Sequence, residues 1–152
     1  MMDIGKLFSL KGRVALVTGG SKNLGRHIAE GFIAAGAKVY ISSRKADACD
    51  KTAAELGPNC ISLPMDVSTV EGCRALAAQF AEREEKLDIL VNNAGINFKK
   101  DFIEVTDDEF ESIIHTNIKS VFAISREVVK VMKNHGGGNI INISSMASQY
   151  GI

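Results

Sequence analysis

Apolar residues recur along this chain in two rhythms. Short, nearly unbroken runs at residues 14–17, 37–43, 60–64, 87–91 and 139–144 have the length and β-branched content of buried strands. Between them, apolar positions return every three to four residues, the spacing of one helix face. Leu24, Ile28 and Phe32 do so after the first run, and Val70, Leu76, Ala77 and Phe80 within residues 69–85. Gly36 stops the first helix and launches the second strand, and Gly57-Pro58 ends a further helix over residues 46–56. Strands alternating with helices at this spacing predict an α/β fold, a doubly wound parallel sheet of about five strands with right-handed crossovers and helices on both faces.

One stretch departs from the one-sided pattern. A helix is predicted from about residue 106 to residue 135, where Phe110, Ile113, Ile114, Ile118, Val121, Phe122, Ile124, Val128, Val129, Val131 and Met132 cover well over half of the circumference. A helix apolar nearly all round is buried on several sides. Its outer side therefore meets either another subunit or other segments of the same chain. Asp107 and Asp108 suit its positive end, His135 its negative end, and the three glycines at 136–138 terminate it. His27 and His115 fall on helices and read as surface or interface residues.

Composition narrows the class. A chain of 152 residues suffices for one domain with a sizeable core. Eighteen basic and eighteen acidic residues cancel, which argues against nucleic acid or anionic lipid as a partner. No apolar run approaches the roughly 20 residues of a membrane helix, so no membrane partner is expected. The first residues lack the apolar core of a signal peptide, and a cytoplasmic protein is expected. Cys49, Cys60 and Cys73 are odd in number, widely spaced and without a C-x-x-C pair, which predicts buried, idle thiols and no metal site.

The chemistry begins where the first strand ends, at Thr18-Gly19-Gly20-Ser21-Lys22-Asn23-Leu24-Gly25. A buried strand that breaks into a glycine-bearing turn and restarts as a helix aims free backbone N–H groups and the positive helix end at one point, which suits a pyrophosphate. The match to G-x-G-x-x-G is loose. Asn23 tolerates the left-handed backbone such a turn requires. Its side chain takes up space where a phosphate would approach, so weaker or altered binding is expected, not none.

The spacing Thr-Gly-x-x-x-Gly-x-Gly, with Asn23 at the middle glycine, is one of four matching features. The others are Asn92-Asn-Ala-Gly95 after the fourth strand, Asn117 in the long helix and Ile143-Ser-Ser145 ending the fifth strand. Together they resemble the short-chain dehydrogenase/reductase family over essentially the whole chain. The resemblance implies a Rossmann sheet in the order 3-2-1-4-5 and a single NAD(P)-binding domain over residues 1–152. It implies cofactor contacts from Gly19, Ser21, Lys22, Asn23, Leu24 and Gly25 in the turn. Further contacts are implied for Ser43, Arg44, Asp66, Val67, Asn93, Ala94 and Gly95, with Asp66 bonding the adenine and residues 92–95 also tying strands together.

An NAD site places a carboxylate near the end of the second strand to hold the ribose hydroxyls. Residues 39–44 contain no acid: Ser43 stands at that place and Arg44 follows. Arginine can donate two parallel bonds to a 2′-phosphate, and Lys22 adds a second positive charge, so NADP is expected over NAD.

For catalysis, the resemblance implies that Ser145 hydrogen-bonds the substrate oxygen and that Asn117 supports a water-linked proton path. The family's acid/base is a Tyr about a dozen residues after that Ser, with a Lys four residues later. Tyr150 lies only five residues after Ser145 and no Lys follows it, so Tyr150 reads as a substrate-loop residue. The Tyr-x-x-x-Lys pair, the last strands and the substrate lid are expected beyond residue 152, which makes the domain incomplete and leaves Ile140, Ile141 and Ile143 on an open apolar edge. The implied activity is NADP-dependent hydride transfer between nicotinamide and a small-molecule carbonyl or secondary alcohol. The ketoreductases of 3-oxoacyl or sugar-acid substrates are the nearest in kind. Homo-oligomerisation through the 106–135 helix is expected. The alternative is a catalytically inactive module that keeps the nucleotide site and joins subunits through that helix.

Overall fold

Residues 4–146 are described by the computed structural model. Five parallel strands form one sheet in the order β3-β2-β1-β4-β5, as expected. They are β1 (Val14–Thr18), β2 (Lys38–Ser42), β3 (Cys60–Ser62), β4 (Ile89–Asn92) and β5 (Asn139–Asn142). The strands β2, β3 and β5 stop one or two residues short of the predicted runs, because the last residues of each run already turn into the connecting loops, whereas β1 and β4 each continue one residue past theirs. Helices α2 (Asn23–Ala34), α3 (Ala46–Leu56) and α4 (Val70–Ala81) fall where periodicity placed them, and a short exposed helix α1 (Ile4–Leu7) precedes β1.

The period-two alternation of the strands divides the core. Leu16 and Leu90 face α4 and a later helix, α6 (Ser120–Asn134), packing with Leu76, Phe80, Ile124 and Val128. Val17, Val39, Ile41 and Val91 face the other way and pack against Ala29 of α2 and Ala53 of α3. Every residue of β1 is buried, which is why its sequence is apolar without alternation. Ile28 and Phe32 join the second layer, whereas Leu24, in the first turn of α2, is exposed. Cys49, Cys60 and Cys73 are buried free thiols, and burial pushes Cys60 and Cys73 up to about 11.

The long helix is not one regular helix. It runs as α5 (Asp107–Ile114), a wider π turn (His115–Lys119) and α6 (Ser120–Asn134). Thr106 and Glu109 cap its start reciprocally, and three acidic residues occupy its first turn. At the far end the His135 ring lies 3.4 Å from the Val131 carbonyl. Only the inner face of α6 is buried, through Ala123, Ile124, Val128 and Met132, while Phe110, Ile118, Phe122 and Val129 remain exposed. Among the described residues no segment of the same chain covers that outer face.

At the opposite edge from the glycine turn, Asp88 ties β4 to β1. It accepts from Arg13 at 2.7 Å and from the Val14 N–H at 2.8 Å, with Lys86 at 3.3 Å. Burial pushes this carboxyl up, but the Arg13, Val14 and Lys86 bonds outweigh it and hold Asp88 below the usual carboxylate range.

Candidate functional site

In the sheet, β1 has β2 on one side and β4 on the other, so the chain reverses its winding direction between β1 and β4. A crevice opens beyond the carboxyl ends of strands at such a switch point. The loops after β1, β2, β3 and β4 all emerge there.

The turn after β1 is packed to the limit. Gly19 has φ +66°, and a methyl group on Gly20 would stand 2.7 Å from the Ile41 Cβ. A methyl group on Gly25 would stand 2.3 Å from the Gly19 carbonyl oxygen. Gly20 N–H donates to the Ser42 carbonyl at 3.1 Å, and the Thr52 hydroxyl donates to the Ser21 carbonyl at 2.9 Å. The turn is thereby pinned to β2 and to α3. Asn23 takes φ +48°, so the turn forms with asparagine at that position. The cap residue of α2, Lys22, is extended and supplies no side-chain hydrogen bond, which leaves the first-turn amides without a side-chain acceptor. Backbone held open, free amides and a positive helix end at one point fit a diphosphate.

Lys22 and Arg44 are both exposed, and neither has a carboxylate partner among the described residues. Arg44 lines a cleft of about 590 Å³ with Ser68, Thr69, Ile96, Phe98 and His115. Ser43 turns its hydroxyl back to the Lys45 carbonyl at 3.4 Å. Asp66 is exposed after β3, and its carboxylate accepts the Ser68 N–H at 2.9 Å, while Val67 is buried in the core beside it.

The Asn92 to Gly95 stretch is a strand tie. The Thr18 hydroxyl donates to the Val91 carbonyl at 3.3 Å and accepts the N–H groups of Asn93 and Ala94, each at 3.1 Å. The Asn93 amide in turn donates to the carbonyls of Thr18 and Gly19 at 3.0 and 3.2 Å. Asn92 donates to Ser125 on α6 at 3.1 Å and to Asn142 on β5 at 2.8 Å. Gly95 faces Asn117, with room for a methyl group at 3.4 Å from Oδ1. Asn117 sits at the centre of the π turn and bonds both backbone groups of Ile96 at 2.9 Å. Ser145 lies exposed beyond β5 on the same edge of the sheet, and Tyr150 lies outside the described residues.

Three participants were not foreseen. Gly72, inside α4, lies so close to the loop after β3 that a methyl group on it would stand 1.8 Å from the Asp66 carbonyl. It lets α4 hold Asp66 and Val67 at the cleft. Its signal was a glycine within a helical pattern, where a better helix former would otherwise be favoured. Thr18 bridges β1 to β4, which a threonine at a strand end does not announce. His115, read as a surface or interface residue, is half-buried at the start of the π turn and forms part of the cleft wall. Among the described residues no cluster of His, Cys, Asp or Glu could hold a metal ion, and no helix is long and apolar enough to cross a membrane.

Comparison with known proteins agrees with this geometry. Residues 13–152 match the family described as short chain dehydrogenase. The rhamnolipids biosynthesis 3-oxoacyl-[acyl-carrier-protein] reductase of Pseudomonas aeruginosa is 38% identical over 146 residues, covering 92% of this chain and 57% of that protein. The 2-dehydro-3-deoxy-D-gluconate 5-dehydrogenase of Dickeya dadantii is 39% identical over 148 residues, covering 95% and 58%. The solved Pseudomonas aeruginosa RhlG/NADP active-site complex superposes with a TM-score of 0.90 at 37% identity, over 95% of this chain and 59% of that one. The chain thus spans under three fifths of the length of these relatives. With the sheet order, the glycine turn and the Asn92 to Gly95 tie in place, the chain belongs to the short-chain dehydrogenase/reductase family.

Proposed function

We propose that this chain carries the nucleotide half of an NADP-dependent oxidoreductase that moves hydride between a nicotinamide and a small-molecule carbonyl or secondary alcohol. The observation that carries the reading is the turn from Thr18 to Gly25. Its glycines leave no room for side chains, and it presents uncapped amides at the start of α2. When bound, the dinucleotide would supply the hydride. This chain's residues bind and orient. The turn amides hold the diphosphate, Asp66 and residues 93–95 border the adenosine, and Asn117 fixes the loop that carries Gly95 and Ile96.

The preference for NADP rests on Ser43 and Arg44 after β2, with Lys22 alongside. With no acid there to hold a ribose 2′-hydroxyl, an unpaired guanidinium favours a 2′-phosphate. The relative solved with NADP supports that assignment. The names of the relatives place their substrates among 3-oxoacyl thioesters and sugar acids. A keto or hydroxy compound of one of those kinds is the substrate class assigned here. Ser145 and Asn117 are the residues assigned to the substrate oxygen and the proton path.

Phe110, Ile118, Phe122 and Val129 form the exposed outer stripe of α5 and α6, and a second copy of the chain is its assigned cover. Sedimentation of the chain and of Phe122→Glu tests this, with loss of the oligomer expected in the variant.

Fluorescence titration with NADPH and NADH tests the cofactor assignment. NADPH should bind at least tenfold more tightly, and Arg44→Ser should narrow that gap. Equal affinities in the unaltered chain would defeat the assignment.

A further inference from the structure

Asn23 is the only non-glycine with a left-handed backbone among the described residues, at φ +48°. That conformation is unfavourable for any residue with a Cβ, though least so for asparagine. The side chain is exposed, and no hydrogen-bond partner for it exists among the described residues. It stands at the first position of α2, between the exposed side chains of Lys22 and Leu24, beside amides that no side chain caps. A carboxamide brings two N–H donors to that point. Bonds from such donors to an anionic oxygen are stronger than neutral ones.

We infer that the Asn23 carboxamide donates a hydrogen bond to the diphosphate of the dinucleotide, adding a side-chain ligand where the family pattern has only glycine backbone. The inference rests on the dinucleotide reading above. It also reverses the simplest steric expectation, that a side chain here obstructs the phosphate and weakens binding. Obstruction and donation give opposite outcomes when the side chain is removed. Glycine at 23 relieves both backbone strain and crowding, so an obstructing asparagine must yield tighter binding on removal and a donating one looser binding.

The test compares the chain with Asn23→Gly and Asn23→Asp, titrated with NADPH and with adenosine 2′-monophosphate, which lacks the diphosphate. Asn23→Gly should weaken NADPH binding three- to tenfold while melting at the same or a higher temperature, so lost folding is not the cause. Asn23→Asp keeps the shape but sets an anion before the phosphates, and should weaken NADPH by more than tenfold. The nucleoside monophosphate should bind all three alike. Equal or tighter NADPH binding by Asn23→Gly overturns the inference, as does a matching loss for the monophosphate. If the unaltered chain binds neither ligand, the dinucleotide reading falls and this falls with it. If it binds both and only the Asn23→Gly result fails, the dinucleotide reading stands alone.

Discussion

Asn117 grips both backbone groups of Ile96, accepting its N–H on Oδ1 and donating from Nδ2 to its carbonyl, each at 2.9 Å. A helix residue thereby completes the hydrogen bonding of a loop 21 positions earlier in the chain. The helix widens into a π turn at this point, a feature found frequently at functional sites.

Replacing Asn117 by Asp keeps the volume and the acceptor but removes the donor, leaving the Ile96 carbonyl facing an anion. We expect a loss of about 1–3 kcal/mol, the usual penalty for a hydrogen bond broken at a part-buried group. Urea denaturation followed by circular dichroism measures it. An unchanged midpoint would show that the clasp does not hold the loop.

Two glycines of α2 should respond in opposite senses. Gly25→Ala drives a methyl group to 2.3 Å from the Gly19 carbonyl and 2.5 Å from the Asn93 amide, both held by other bonds. It should lower stability by about 1–3 kcal/mol, as overpacking does, and abolish NADPH binding. Gly31→Ala meets nothing within 4 Å and should raise stability by roughly 0.5–1 kcal/mol, since alanine is the better helix former. Thermal melts of the pair read both signs.

Asp88 makes stability pH-dependent. Its folded pKa lies below the unfolded value near 3.9, so the folded state gains from the charged form. That gain is fully present above the unfolded value and is lost as pH falls through the folded one. Asp88→Ala should cost about 1–3 kcal/mol at pH 7 and should flatten the acid limb of a stability profile taken from pH 7 to pH 2. A variant with an acid limb as steep as the original would count against this role.

The thiols should be silent until the chain unfolds. Cys49, Cys60 and Cys73 are buried, and burial pushes Cys60 and Cys73 up to about 11, so little thiolate exists at neutral pH. A disulfide-exchange reagent should react slowly at pH 7.5 and then release three equivalents in denaturant. Rapid labelling of the folded chain would contradict the packing around α3, β3 and α4.

Legibility followed the range of the interaction. The strand at Val14–Thr18 and the glycine turn were readable because burial on both faces and a left-handed φ are local demands that restrict residue type where they occur. The exposure of Leu24 and the cleft position of His115 were not readable. Each depends on which distant parts of the chain folding brings beside that residue.

The sequence by itself determined the alternation of strand and helix, the order of the sheet through its family motif, and the glycine turn to which the diphosphate is assigned in our proposal. Those features follow from hydrophobic period and from glycine, which act over a few residues. Only the tertiary structure decided that Asn117 would reach back to Ile96 and that Gly72 would clear a path for Asp66. It also decided that Thr18 would bridge β1 to β4 and that the outer side of α5 and α6 would lie open among the described residues. Each of these joins parts of the chain through space, and a hydrogen-bond partner or a neighbouring carbonyl brought in by folding leaves no periodic trace in the residues that meet it.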